Sequence, residues 1–216
     1  MKRIVQPEIL DSLPCHDPRI DQTRRDLTLI NALMRNPSWF RRQVFPRVQP
    51  TDHMMELGAG KGELALMLAE HLCAIGAYTG IDFAQRPDGL PDEFNWCCKD
   101  LLELDYAGVD VLMGNFILHH FSDVALADIG RKINASGIRM LAFNETLRRP
   151  LHLWQLRLLY PVICDVTRYD GRVSIEGGFR RQELVEALGL ADEWKLELKE
   201  TFLGSYRLLA QRKAKA

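Results

Sequence analysis

The sequence has no excess of either charge, no long apolar run and no paired-cysteine motif, and each absence removes a class of function. Lys and Arg total 28 against 29 Asp and Glu, a formal net charge of −1. A general nucleic-acid coat protein draws its affinity from a basic surface, so no nucleic-acid partner is expected. No apolar stretch reaches the roughly 18–20 residues that span a bilayer. The opening Met1-Lys2-Arg3-Ile4-Val5-Gln6-Pro7-Glu8 lacks the apolar segment of a signal peptide, which predicts a cytoplasmic protein. Cys15, Cys73, Cys97, Cys98 and Cys164 include no CxxC pair. Their odd number and scattered spacing suit reduced thiols, not a disulfide frame or a zinc knuckle. His119 and His120 are adjacent and nothing reads HExxH, so no metal site is expected. Repeats and low-complexity tracts are also missing.

What is present is a globular composition. The 216 residues are 47% hydrophobic and 26% charged, enough to build a core within the usual span of one compact domain. Residues 1–18 look irregular, with turns fixed by Pro7, Pro14 and Pro18. Ile20, Leu27, Ile30, Leu33 and Met34 then recur at helical spacing, predicting a helix over Arg19–Arg35. Asn36-Pro37-Ser38 stops it and caps another from Trp39 to Phe45. Residues 1–50 are accordingly read as a helical extension or cap, and 51–216 as the main domain.

After Pro50 the period changes. Apolar runs at His53–Leu57, Ala77–Ile81, Asn95–Cys98, Val109–Met113 and Ile138–Phe143 alternate with helical patterns at Glu63–Leu72 and Asp123–Ile133, the latter capped by Ser122. Strands separated by helices imply parallel pairing and right-handed crossovers. The crossover before Asn95 is weak, since Pro87 and Pro91 leave room for about one helical turn. Leu151–Tyr160 is apolar on nearly every side, Thr167–Ser174 reads as a polar loop around Asp170-Gly171, and Phe179–Leu188 as a helix. Lys195–Phe202 and Ser205–Gln211, joined by Leu203-Gly204, predict an antiparallel hairpin. The expected fold is α/β: a Rossmann-like, seven-stranded, mostly parallel sheet ending in an antiparallel hairpin, with N-terminal helices and a lid insertion at about 148–178.

The most informative stretch is Glu56-Leu57-Gly58-Ala59-Gly60-Lys61-Gly62-Glu63, a strand end followed by glycines and a helix start. Glycines let the backbone turn tightly and approach a ligand, and the helix start offers unpaired N–H groups. A P-loop would need Ser or Thr after Gly60-Lys61, where Gly62 stands. A dinucleotide fingerprint would need glycine at position 63, which is Glu63. No tyrosine has a lysine four residues on, as a short-chain reductase would. The remaining pattern, acidic-x-Gly-x-Gly-x-Gly, resembles the first motif of class I S-adenosylmethionine (SAM) methyltransferases, and the likeness extends over about residues 50–211.

The resemblance implies SAM as cofactor and assigns roles. Glu56 would organise the methionine moiety over Gly58, Ala59, Gly60 and Gly62. Asp82, 20 residues past the last glycine, would accept from the ribose hydroxyls, with Phe83 over the adenine. Asp100 would accept from the adenine amino group while Leu101 packs on the ring, and Asn115 and Phe116 would border the cofactor after the fourth strand. Asn115-Phe116-Ile117-Leu118 lacks the prolines of an amino-group nucleic-acid methyltransferase. Leu118-His119-His120-Phe121 instead resembles the branch that methylates quinones and natural products.

His119 and Glu145 follow neighbouring strands and could form a base with its orienting carboxylate, with His120 as a second candidate. Either histidine could instead pack in the core, and Glu145 could cap the next helix. Methyl transfer mainly needs alignment and exclusion of water, and a phenol of pKa near 10 also gains from a base near neutrality. Candidate acceptor contacts are Trp39, Phe40, Trp154, Arg168, Tyr169 and Arg172. Paired arginines read as solvated faces; a lesser reading has Arg148 and Arg149 attract an anionic acceptor. The expectation is methyl transfer from SAM to a small, fairly apolar acceptor, at a hydroxyl oxygen. The alternatives are a catalytically silent SAM-binding partner or a nicotinamide-dependent oxidoreductase.

Overall fold

The computed structural model describes residues 1–14, 16–72 and 77–213. Cys15 and Cys73 lie outside them, while Cys97, Cys98 and Cys164 are free thiols. The short apolar runs form strands β1 (His53–Leu57), β2 (Ala77–Asp82), β3 (Asn95–Cys98), β4 (Val111–Asn115), β5 (Met140–Thr146), β6 (Trp194–Glu200) and β7 (Ser205–Arg212). One sheet holds them in the order β3-β2-β1-β4-β5-β7-β6. The first five are parallel, and β7 runs antiparallel to β5 and β6. From β1 the chain steps one way to β2 and β3 and the other way to β4 and β5. Such a reversal opens a crevice at the carboxyl ends of β1 and β4, where open α/β sheets bind ligands. β5 runs three residues further than the apolar pattern suggests, because the β7 ladder continues through Asn144, Glu145 and Thr146.

The helices are α1 (Pro18–Leu33), α2 (Asn36–Trp39, continued as a π-helical turn over Phe40–Val44), α3 (Glu63–Met67), α4 (Ala69–Leu72), α5 (Asp123–Ala135), α6 (Pro150–Leu159), α7 (Asp165–Gly177) and α8 (Glu183–Ala187). Among the described residues, no helix is long and apolar enough to cross a membrane. Strand alternation gives the sheet two apolar faces. One packs Met54, Tyr78 and Met113 under Phe40, Val44, Leu64 and Leu68. The other packs Leu57, Leu112 and Phe143 under Leu126, Ile129 and Leu184.

Several expectations need correction. Phe40 is no pocket edge: it is fully buried in the first core, edge to face with the Trp39 ring at a centroid distance of 4.7 Å. Trp39 is largely buried there too, and what remains of it borders a groove shared with Arg42, Lys199 and Arg207. Thr167–Ser174 is helical, in the middle of α7. Asp170-Gly171 forms no turn because Asp170 is buried and accepts the backbone N–H groups of Ile9 and Leu10 at 2.7 and 3.0 Å. Asp26 of α1 supports the start of α7, accepting from the Cys164 N–H and the Thr167 hydroxyl. The helix expected from Phe179 starts only at Glu183, since Phe179 bridges to Leu147 in extended form. Arg148 is no anion lure: it is buried and donates to the carbonyls of Gly178 and Met1 and to Glu183. Arg149 pairs with Glu200.

Candidate active site

The glycine turn lies at the carboxyl end of β1. Gly58, Gly60 and Gly62 all take left-handed φ, between 61° and 72°, which strains any residue with a Cβ. Gly58 also sits beneath Ile117, and a Cβ there would lie 2.5 Å from that side chain. The turn is pinned to its neighbour strand: Ala59 N–H donates to Ile81 O at 3.0 Å, and Gly60 N–H donates to Asp82 Oδ2 at 2.7 Å. Asp82 therefore shapes the turn as well as facing the crevice. Its other oxygen accepts from Ala84 N–H at 2.9 Å, and burial raises its carboxyl above the usual range against these two bonds.

Glu56 is buried on β1, where it accepts from the Tyr78 hydroxyl. Burial opposes its ionised form and lifts its carboxyl to about 7, against the Tyr78 hydrogen bond and with the help of the Glu63 and Asp82 charges. An acid whose folded pKa is raised contributes most stability below its unfolded value, and that contribution is lost as pH climbs to the folded value. Relative to Glu56→Gln, the wild type should thus lose on the order of 3 kcal/mol between pH 4.5 and 8. Urea unfolding of both proteins at several pH values reads this difference, and a flat difference would refute the raised pKa.

Phe83 is 75% exposed beside Asp82. Asp100 caps a 3-10 turn, accepting from Leu102 N–H at 2.9 Å. Leu101 is corrected: it is buried in the second core with Ile81 and Tyr106, and exposed Leu102 is the neighbour that faces out.

The ends of β4 and β5 carry an amide network. Asn144 donates to Asn115 (2.8 Å) and Asn115 to Asn31 of α1 (3.0 Å); Asn36 also donates to Asn31 (2.9 Å). Arg207 on β7 donates to the side-chain oxygens of Asn144 and Asn36. Asn115 is thus tied to the N-terminal helix. Phe116 follows with φ at 60°, its N–H on Asn144 O.

Beyond this bend, Glu145 is fully buried and clamps a 3-10 turn over Leu118–His120. Oε1 accepts the N–H groups of Ile117 and Leu118 at 3.0 and 2.8 Å, and Oε2 accepts His119 N–H at 3.3 Å. His119 Nδ1 bonds the same Oε2 at 2.8 Å. The expected His119–Glu145 pair therefore exists, and Glu145 holds the turn as much as the ring; it caps no following helix.

The structure adds a partner 111 residues away: His119 Nε2 lies 3.4 Å from Glu8 Oε1. Residues 1–14 form a strap across this end of the sheet. Ile4 N–H donates to Glu176 O, and Arg3 reaches Gly177 O, Phe121 O and Asp123. Glu8 also accepts from Ser174. His119 is 4% exposed. Burial opposes its protonation, but hydrogen bonds to Glu145 and Glu8 outweigh it and bring the imidazole to about 9. Burial pushes the Glu8 carboxyl up, and the hydrogen bond and charge of His119, together with the His120 charge and the Ser174 hydrogen bond, more than reverse this. With Glu8 in place, His119 Nε2 is held in an ion pair. His120 is half-buried, with Nε2 3.8 Å from Glu8 and Nδ1 3.5 Å from Asp11.

Of the other acceptor candidates, Trp154 is 56% exposed on the outer face of α6, beside exposed Leu151 and Leu158. Arg168 bonds Tyr160 O and Asp165, and Arg172 bonds Glu176 and covers the Tyr169 ring at 5.2 Å. All these contacts stay within the insertion. Arg24 belongs to one of the arginine pairs expected on a solvated face. In the structure it lies 3.8 Å from Glu63, next to the glycine turn, with one terminal nitrogen buried and lacking a hydrogen-bond partner. Nothing in local spacing could pair Glu8, Arg24, Asn31 or Asn36 with the strand ends, because tertiary packing alone brings them there.

No family model and no curated protein matches the chain. Solved structures do. The plantazolicin methyltransferase BamL, in complex with a triazolic desmethyl-plantazolicin analogue and S-adenosylhomocysteine (SAH), superposes with a TM-score of 0.69 at 9% identity, over 94% of this chain and 92% of that one. The plantazolicin methyltransferase BpumL with SAH gives 0.63 at 11%, over 92% of each chain. The pyocyanin biosynthetic protein PhzM gives 0.61 at 15%, with 94% of this chain spanning 60% of that one. At such identities the likeness is one of fold.

Proposed function

We propose that this chain, built on the fold that class I methyltransferases share, transfers the methyl group of SAM to a hydroxyl oxygen of a small, fairly apolar acceptor. The observation that carries the reading is the turn Gly58–Gly62, three left-handed glycines joined to Asp82 at the carboxyl ends of β1 and β2. The SAH held by BamL and BpumL supports the same cofactor here.

The residues present fit that group. Asp82 offers carboxylate oxygens to a ribose, Phe83 an open ring to an adenine, and Asp100 an acceptor for its amino group. Glu56 would face the ammonium of the methionine end, and Arg24, whose buried terminal nitrogen makes no hydrogen bond and lies 3.9 Å from Asp21, would face its carboxylate. The cofactor, when bound, supplies an electrophilic methyl on a sulfonium. The protein's tasks are then alignment, exclusion of water and proton removal. Residues 1–50 act as the cap that excludes water, in a cytoplasmic enzyme. His119 takes the acceptor's hydroxyl proton on Nε2 once Glu8 withdraws, while Glu145 fixes the ring through Nδ1.

One observation favours a second reading, a SAM-binding protein that transfers nothing: Glu8 closes His119 off. Calorimetry with SAM and NADH, followed by labelled methyl transfer to a panel of phenols, separates the alternatives. SAM binding with transfer is the expected result. Binding without transfer to any acceptor favours the silent partner, and NADH binding alone overturns the assignment.

A further inference from the structure

We propose that Glu8, His119 and His120 form a binding site for a divalent transition cation of the zinc type, which ties the N-terminal strap to the turn after β4. One potential ligand atom from each residue lies within 4.8 Å of the others. The Nε2 atoms of His119 and His120 stand 3.4 and 3.8 Å from Glu8 Oε1. The longer separation exceeds a hydrogen bond. Both are close to the edge of a tetrahedron around zinc, about 3.3 Å for metal–ligand bonds of about 2.0–2.1 Å.

The surroundings have the form of a metal's outer shell. Metal-bound imidazoles usually pass their second nitrogen to a carboxylate, which fixes the ring. Here His119 Nδ1 bonds Glu145 at 2.8 Å, and His120 Nδ1 faces Asp11 at 3.5 Å. Both Nε2 atoms are thereby directed at Glu8, whose own position is set by Ser174. Three carboxylates, Glu8, Asp11 and Glu145, thus stand against the two imidazoles. Arg3, which donates to the main chain beside this group, is committed to Asp123 and main-chain oxygens. Two imidazoles and one carboxylate suit zinc, cobalt or nickel over magnesium or calcium. Three protein ligands leave a fourth position for water. A bound cation would occupy the Nε2 of His119 and hold the strap shut.

This inference does not depend on the proposed methyl transfer, and its test measures binding alone. The full chain, stripped with chelator, is titrated with Co(II), whose tetrahedral d–d absorption reports the site, and Zn(II) is added in competition. Saturation at one equivalent, displacement by Zn(II), and at least about tenfold weaker binding in both Glu8→Gln and His120→Gln are expected. Limited trypsin digestion at Lys2 and Arg3 should slow with Zn(II) in the wild type but not in Glu8→Gln. Metal-free melting curves of the variants confirm that they fold. Absence of saturable absorption, or equal affinity in wild type and variants, would overturn the site and leave Glu8 as a partner of protons only.

Discussion

Glu145→Ala should destabilise the fold by about 3–5 kcal/mol, the cost typical of removing one member of a buried charged pair. Glu145 is fully buried and serves four groups: the N–H groups of Ile117, Leu118 and His119, and the His119 ring. Alanine would leave all four without their acceptor in a site closed to water. Each buried unsatisfied donor costs about 1–3 kcal/mol, and a charged one more. Glu145→Gln retains one oxygen and should cost visibly less. Urea unfolding gives both values. A loss below about 1 kcal/mol for alanine would show that the Leu118–His120 turn stands without its clamp, since it would fall to the level of an ordinary single hydrogen bond. The turn carries His119 and His120, so the same variant should also abolish any function placed there.

Asp82→Ala should weaken SAM binding by about 100-fold or more. Two losses combine. The ribose loses a charge-assisted acceptor, worth about 1.5–3 kcal/mol per bond. The glycine turn also loses the oxygen that anchors Gly60 N–H at 2.7 Å, so a preorganised cradle becomes one that must be ordered on binding. Asp82→Asn keeps an oxygen for Gly60 but forfeits the charge, and should fall between wild type and alanine. Calorimetry on folded protein decides the matter: unchanged affinity in alanine would remove Asp82 from the cofactor site.

The sequence made the sheet legible because parallel strands buried on both faces read as continuous apolar runs. β1, β2 and β3 match their expected bounds to within a residue. The glycine turn was legible for a related reason: left-handed backbone restricts residue choice locally, and Gly58, Gly60 and Gly62 all sit there. Where a residue's role depends on a distant partner, local pattern misleads. Asp170-Gly171 has the composition of a turn, yet amides from residues 9 and 10 draw Asp170 into a helix face. Phe40 looks available in an N-terminal helix, yet it is fully buried in the core that covers Met54 and Met113. His119 and Glu145 were paired by strand order, but Glu8 reaches them across 111 residues through a strap without periodicity. The contacts of the adjacent histidines with Glu8 therefore left no trace in local spacing.

The amide chain at the strand ends has a direction. A guanidinium can only donate, so Arg207 obliges Asn144 and Asn36 to turn their oxygens toward it. Each must then pass its NH2 group onward, and both lines meet on the single side-chain oxygen of Asn31. None of these carboxamides is at liberty to flip. Whatever molecule reaches the mouth of β4 meets a wall whose donors and acceptors are set from the opposite side of the sheet's edge, by one cation on an antiparallel strand.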